Sequence, residues 1–564
     1  MTHKNELTRS AIAGVAGAAA MAIAMWLAVA CGGSDDAGAP GIPETPVPRQ
    51  ASGPSPIAAG CTGGVASGTA YVNAEVEPWV AADPREPNRL VGAWQQDRWS
   101  NGGARGLVTA LSTDGGATWV RTLQPMSRCG GAAAGSAGDF ERVSDPWVDI
   151  GPDGVVYAMG LVATGAVLAP GSTSGMLASR STDGGRTWSA PVLLIRDGAD
   201  FFNDKNTLTA DPTAAGFVYA VWDRIERGGS GPAVLARSAD GGVTWDVPRA
   251  IFTPVPPGGA GAGISQTIGN RIVVLRGGVE TGALVNVFTQ IDVVGGVASA
   301  RIGIVRSLDK GQSWSAPVYV ADQRSVGTLD AASGQRVRDG AILPTIAAGP
   351  RGELWAAWQD ARFTPGGTHD AIVIAGSSDG GRNWSAPRAI NRVAAAPAFT
   401  PAVHVRADGV VGVLHLDLRN DTPAAATLPA NAWLLRSRDG VDWAESEVGT
   451  GFDLAFAPNA GGLFVGDYHG LVSIGSAFVP LLATTNADTA NRTDVRAPSI
   501  EALADARAAP SGGVAAARTQ AQKLTAAEQA LLAHAHHAAI VELMEQRIPG
   551  WQRWARAGAQ TPLR

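Results

Sequence analysis

The sequence predicts an all-β chain built from one four-stranded sheet used repeatedly, and three observations predict it. The stretch STDGGRTWSAP at 181–191 returns in close copy as STDGGATW from Ser112, SADGGVTW from Ser238, SLDKGQSW from Ser307, SSDGGRNW from Ser377 and a shortened SRDGVDW from Ser437. The copies start 69, 57, 69, 70 and 60 residues apart, a period long enough for one multi-stranded unit. Each interval breaks into short apolar runs punctuated by Gly, Pro and Asp, as in LPTIAAGP, ELWAAWQDAR, AIVIAGSSD and NWSAPRAI, which reads as four antiparallel strands.

Taken from the N-terminus, residues 1–31 read as a targeting leader. Lys4 and Arg9 precede an apolar run from Ala11 to Ala30, and LAVAC closes on Cys31. That ending resembles a bacterial lipoprotein signal, which implies a lipid on Cys31 and a place in the cell envelope, facing periplasm or exterior. Residues 32–68 are rich in Pro, Gly and Ser and read as a tether. Cys61 and Cys129 are the only other cysteines, an even pair suited to a disulfide in an oxidising compartment.

Residues 69–500 carry the repeats, each unit reading as one blade of a propeller. Six turn motifs give six blades. Three further strand-like runs after the last motif favour seven, with GTAYVNAEV near the N-terminus supplying the missing strand; a six-bladed ring with an appendage is the alternative. Asp114, Asp183, Asp240, Asp309, Asp379 and Asp439 occupy equivalent turns of different blades, so they spread around a circumference and cannot converge on one ligand. They read as scaffolding, with Ser and Asp oxygens accepting from turn N–H groups and the Trp packing on the sheet.

Residues 501–564 are Ala-rich. Thr525 and Glu528 form a capping box ahead of a helix with an apolar stripe at Leu532, Ala535, Ala539 and Leu543, ended by Pro549. His534, His536 and His537 read as a solvated helix face rather than a metal site, so neither metal nor cofactor is expected. The formal charge of −6, with no long basic run, argues against nucleic acid as a partner, and a monomer is expected.

The turn pattern S-x-D-x-G-x-T-W resembles the Asp-box, or BNR repeat, of the sialidase superfamily. The resemblance spans about residues 69–500 and implies a glycan or glycoconjugate as partner, with exo-sialidase-type hydrolysis or non-catalytic glycan binding as the activity. In an antiparallel blade, first-strand starts and second-strand ends share the edge away from the Asp-boxes, so chemistry is sought there. The family's tyrosine nucleophile, activating glutamate, aspartate acid/base and arginine clamp imply Tyr468 as nucleophile, Glu77 as its base, and Asp145 or Asp97 as acid/base. The same resemblance implies Arg98, Arg224, Arg362 and Arg419, with Asp467, as substrate contacts. Glu77 stands where the family's early arginine would fall, which reverses the charge there. The Asp and Arg pairs ending several second strands also suit salt bridges between neighbouring blades.

Overall fold

Strand follows strand in four-membered antiparallel meanders through the computed structural model, which describes residues 49–424, 426–498 and 521–558. Cys31 and the leader lie outside the described residues. Seven sheets follow in chain order, with leading strands Glu75–Ala82, Arg142–Ile150, Phe201–Ala210, Gly263–Val274, Thr345–Ala348, Ala398–Val405 and Gly470–Ile474. The first six sheets have four strands and the seventh has three; one bridge, Ala104 to Val143, joins the first two. Each leading strand packs beside the next, and that of the seventh sheet packs beside that of the first. A small extra sheet (Thr328–Leu329, Arg336–Arg338 and Leu463–Phe464) pairs an insertion after the fourth sheet with the approach to the seventh.

The expected donor of the missing strand is corrected in part: GTAYVNAEV leads into the first sheet and touches the seventh through the bridge of Ala74 to Thr493, while Gln50 bridges Arg496 and the Ala51 N–H donates to the Val495 carbonyl at 2.8 Å. The tether boundary moves with it, because Ala51 and Ile57 are buried and residues 49–68 lie against the sheets. Proline and glycine produce the same composition in a packed extended arm as in a free linker, so composition alone does not separate them. Asp97 anchors this arm: it accepts from Ser55 Oγ at 2.8 Å and from the Asn73 N–H at 2.9 Å, and pairs with Arg105 at 2.8 Å. Cys61 and Cys129 form a disulfide, with Cα atoms 5.8 Å apart.

Five of the six Ser-x-Asp turns share one bonding scheme, and in the shortened sixth Asp439 accepts from Ser437 and from the Val441 and Asp442 N–H groups. In the second sheet Ser181 Oγ donates to Asp183 at 2.7 Å and accepts from the Gly185 N–H at 2.8 Å, while Asp183 accepts from both Thr187 Oγ1 (2.6 Å) and its N–H (2.9 Å). The same acceptances, led by the Thr or Ser side chain, hold the Asp240 and Asp309 carboxyls at about 2. The motif glycines also meet the preceding sheet: a Cβ on Gly185 would touch Val91, and one on Gly242 would touch Tyr157. Each turn therefore closes its own hairpin and wedges against its neighbour.

The C-terminal segment forms α1 (Ala526–Arg547), started by the Thr525 and Glu528 capping box, and α2 (Trp551–Gly558). Its buried stripe keeps the expected Leu532, Ala539 and Leu543, leaves Ala535 half-buried, and widens to His536, Ile540, Met544 and Arg547. His536 Nδ1 donates to the Ser325 carbonyl at 2.7 Å and His537 Nδ1 accepts from the Ala298 N–H at 3.0 Å. The solvated histidine face is thus corrected for these two: the Nδ1 of each finds a backbone partner outside the helix. Ile540, Met544, Ile548 and Trp551 join the largest apolar cluster of the sheets, each worth about 1.5–3 kcal/mol when fully buried.

Two outcomes test this account. Asp183→Ala should lower unfolding free energy in urea by about 1–3 kcal/mol through the lost turn bonds. Glu75 sits at the start of the first leading strand, where burial raises its carboxyl from 4.5 to about 8. A raised acid contributes stability that is full below its unfolded value and lost as pH rises through its folded one. Melting temperature should therefore fall less between pH 5 and pH 8 in Glu75→Gln than in the parent chain.

Candidate functional site

The site begins with backbone strain. At matching depth in the leading strands, Glu77, Asp145, Lys205 and Thr400 adopt φ of 54°, 52°, 46° and 51°, the left-handed region that side chains disfavour by about 1–2 kcal/mol. Only the fourth sheet uses a glycine there, Gly269 at φ 71°. Register shifts accompany these residues, between Val76 and Trp79, Ser144 and Trp147, Ile268 and Arg271, and Phe399 and Ala402. Each bulge breaks the alternation of faces and turns a polar side chain towards its counterparts on other sheets.

What converges is a charge cluster with almost no access to water. Lys205 Nζ lies 3.2 Å from Glu77 Oε1, 3.6 Å from Asp145 Oδ2 and 2.8 Å from Asp467 Oδ2, and 5.1 Å from the centre of the Tyr468 ring. Asp467 also takes Arg338 at 2.7 Å and Arg547, from the end of α1, at 2.9 Å; Arg547 reaches Asp204 at 3.1 Å as well. Gln95 Nε2 donates to Glu77 Oε2 and, at 3.1 Å, to Ser144 Oγ, which donates to Asp145 at 2.7 Å. Arg98 donates to Gln95 Oε1 at 2.6 Å, and Arg98 and Arg338 lie 4.8 Å and 4.3 Å from the centre of the Phe464 ring. Four carboxylates, Glu77, Asp145, Asp204 and Asp467, meet four cations, Lys205, Arg98, Arg338 and Arg547.

These contacts set the protonation states. Burial raises the Glu77 carboxyl against the pull of Lys205, and Asp145 and Asp467 add to the rise. For Asp467, burial acts upward but Arg338, Lys205 and Arg547 outweigh it, holding it well below the carboxylate range. Burial pushes the Tyr468 phenol well above its ordinary value and the three carboxylates add to the effect. Tyr468 Oη donates to the Pro146 carbonyl at 3.2 Å.

The structure gathers Glu77, Asp145, Asp467, Tyr468 and Arg98, and removes the others from the cluster. Arg224 pairs with Asp197 at 2.8 Å over the Phe201 ring, Arg362 with Asp360 at 2.6 Å, and Arg419 with Asp417 at 2.6 Å and Glu445 at 2.7 Å. Arg362 and Arg419 belong to pairs within their own sheets, Arg224 bridges from the third sheet to Asp197 at the end of the second, and none joins the cluster at Tyr468; Asp97, as above, holds the N-terminal arm. Sequence reasoning missed Arg338 and Arg547 as members. Arg338 lies in the insertion and Arg547 at the end of the Ala-rich helix, and no local motif marks either.

Beside the cluster lies a cavity of about 50 Å³ lined by Trp79, Trp147, Lys205, Asp467, Tyr468 and His469 among others. Ligand sites usually span about 300–1,000 Å³, so this chamber is too small for a sugar as it stands. Below it Trp79 and Trp147 stack with ring centres 3.7 Å apart. Among the described residues no group of three or more His, Cys, Asp and Glu side chains could hold a metal, and no helix is long and apolar enough to cross a membrane.

No family model matches the chain. Over 181 residues, 29% of this chain and 19% of the relative, it is 29% identical to xyloglucanase Xgh74A of Acetivibrio thermocellus. Over 193 residues, 31% of this chain and 29% of the relative, it is 29% identical to a sialidase of Micromonospora viridifaciens. The matched segments thus span less than a third of either curated relative. Among solved structures, Hadza microbial sialidase Hz136 aligns with 73% of this chain and 75% of its own at 16% identity and a TM-score of 0.40. The GH93 alpha-L-arabinofuranosidase of Fusarium graminearum aligns over 64% and 93% at 14% identity and 0.39.

Lys205→Met should lower unfolding free energy by about 3–5 kcal/mol, because Glu77, Asp145 and Asp467 lose their shared buried cation. Denaturant titration reads this directly, and adding Glu77→Gln to the variant should restore part of the loss.

Proposed function

We propose that this chain is a seven-bladed, sialidase-like propeller that acts on glycans, carried at the cell envelope by a lipid on Cys31, with its reactive cluster held shut by α1. The observation that carries the reading is the meeting of Glu77, Asp145 and Tyr468 around Lys205, at the edge away from the Asp-boxes. The circuit of contacts among the seven leading strands supports the blade number and closure. The segments shared with a xyloglucanase and a sialidase support a glycan as substrate.

In this reading α1 must lift before a sugar enters. Tyr468 is then the nucleophile, Glu77 takes its proton, and Asp145 protonates the leaving oxygen. In the closed state neither contact is made, since Glu77 is held by Gln95 and Lys205 and Tyr468 donates to Pro146. Arg98 and Arg338, with Arg547 withdrawn, are the arginines left beside Lys205 to meet an anionic sugar.

One observation favours a second reading, non-catalytic glycan recognition: every cation of the cluster already has a polar protein partner, leaving none spare for a substrate carboxylate. A fluorogenic glycoside panel with the soluble chain, with Arg547→Ala and with Arg547→Ala/Tyr468→Phe separates the two. The hydrolase reading expects release to rise at least about tenfold in Arg547→Ala and to vanish in the double variant. No release from any variant, together with binding on a glycan array, establishes the second. Replacing Cys31 should free the protein from membranes, read by fractionation.

A further inference from the structure

The column between the leading strands has a second mouth. Ala82 and Ser112 both pair with Leu90, so the trailing ends of the leading strands share an edge with the Asp-box turns. There the column widens into a funnel of about 520 Å³, lined by trailing residues of all seven strands from Ala82 to Ile474. That volume lies within the range of about 300–1,000 Å³ typical of small-molecule sites. The stacked Trp79 and Trp147 rings separate it from the sealed charge cluster.

Its charges are unlike those of the cluster. Arg271 forms part of the floor, its guanidinium 4.6 Å and 5.4 Å from the two indole centres and its Nη1 donating to Thr345 Oγ1 at 2.9 Å. Arg276 stands exposed on the wall. Neither arginine has an ion-pair partner among the described residues. The acids that face the funnel are Asp83 and Asp149. Asp83 is spent on Arg89 at 3.0 Å and Arg85 at 3.7 Å. Asp149 accepts from the N–H groups of Ala210 and Ile150, each at 2.9 Å; burial raises its carboxyl to about 6 against the pull of these bonds and of Arg276 and Arg271, so it is the one funnel acid whose charge acts on both arginines. His404 Nε2 is engaged with Ser473 Oγ at 2.9 Å, and burial with Arg276 and Arg271 lowers its imidazole to about 3, so it is neutral.

Two guanidinium groups facing one ligand-sized hollow, one pre-oriented on an aromatic floor, form a receptor for carboxylate or phosphate oxygens. Leaving them unoccupied and partly desolvated costs free energy that a bound anion would recover. Apolar wall residues such as Ile150, Val274 and Val405 leave room for a ring or short chain behind the charged group.

We propose that the funnel on the Asp-box side binds a small ligand carrying a carboxylate or phosphate group, with Arg271 at its floor and Arg276 at its wall. The site opens at the opposite mouth from the cluster around Tyr468, with Arg271 and the two indoles lining both hollows, and does not depend on any hydrolysis there.

Isothermal titration of the full chain with sodium glucuronate, with inorganic phosphate and with neutral glucose tests this. The proposal expects at least one of the two anions to bind with Kd below about 1 mM, and glucose to bind at least about tenfold more weakly. Tighter glucuronate marks a carboxylated ligand, tighter phosphate a phosphorylated one, and both support the site. Arg276→Gln, on an exposed side chain, should weaken the anion at least about tenfold, and Arg271→Lys, which keeps the charge but loses the fork, by a similar factor. Arg186→Gln on an Asp-box turn should change nothing. Absence of binding by both anions, equal binding of glucose, or full affinity in Arg276→Gln would overturn the proposal.

Discussion

Asp467 is the constraint on which the middle of this molecule depends. It lies on the approach to the seventh sheet, and its carboxylate takes Lys205 from the third sheet, Arg338 from the insertion and Arg547 from α1. Three separate parts of the chain are thereby tied to one buried charge. Taking so many charges out of water is expensive, and only full mutual pairing offsets it. The strained residues follow from the same demand. Glu77, Asp145 and Lys205 accept left-handed backbone because the bulge is what brings their charges within reach of one another.

Much of the fold was legible because its determinants are local. A Ser-x-Asp turn is specified by seven or eight consecutive residues, and close copies of them recur in six of the seven sheets. The capping box of α1 is similarly contained in four residues. The number of leading strands could be counted from apolar runs, whereas the strand partner of Arg496 could not. Gln50 precedes it by more than four hundred residues and sits in a segment whose proline content imitates a linker.

The cluster was half legible for a related reason. Glu77, Asp145, Asp467 and Tyr468 stand out because first-strand starts must share an edge, so antiparallel topology alone brings them together. Arg338 and Arg547 reach Asp467 across 129 and 80 residues, and no spacing rule links them. The arginines that recur beside Asp at second-strand ends misled for the opposite reason. Asp360 with Arg362 and Asp417 with Arg419 are two residues apart and satisfy each other, so their repetition reported a local solution used several times. A residue needed for convergence on one ligand should occur once, as Tyr468 does.

The docking of α1 sets a threshold for anything that would occupy its place. Arg547 is covalently part of the chain, so the carboxylates of Asp204 and Asp467 meet its guanidinium at an effective concentration of millimolar or more, whatever the protein concentration. A free cation or sugar must overcome that tethered rival before a single contact of its own is made. Affinity measured on the intact chain therefore reports the difference between two occupants, and a weak ligand can be silent there while fitting the vacated space well.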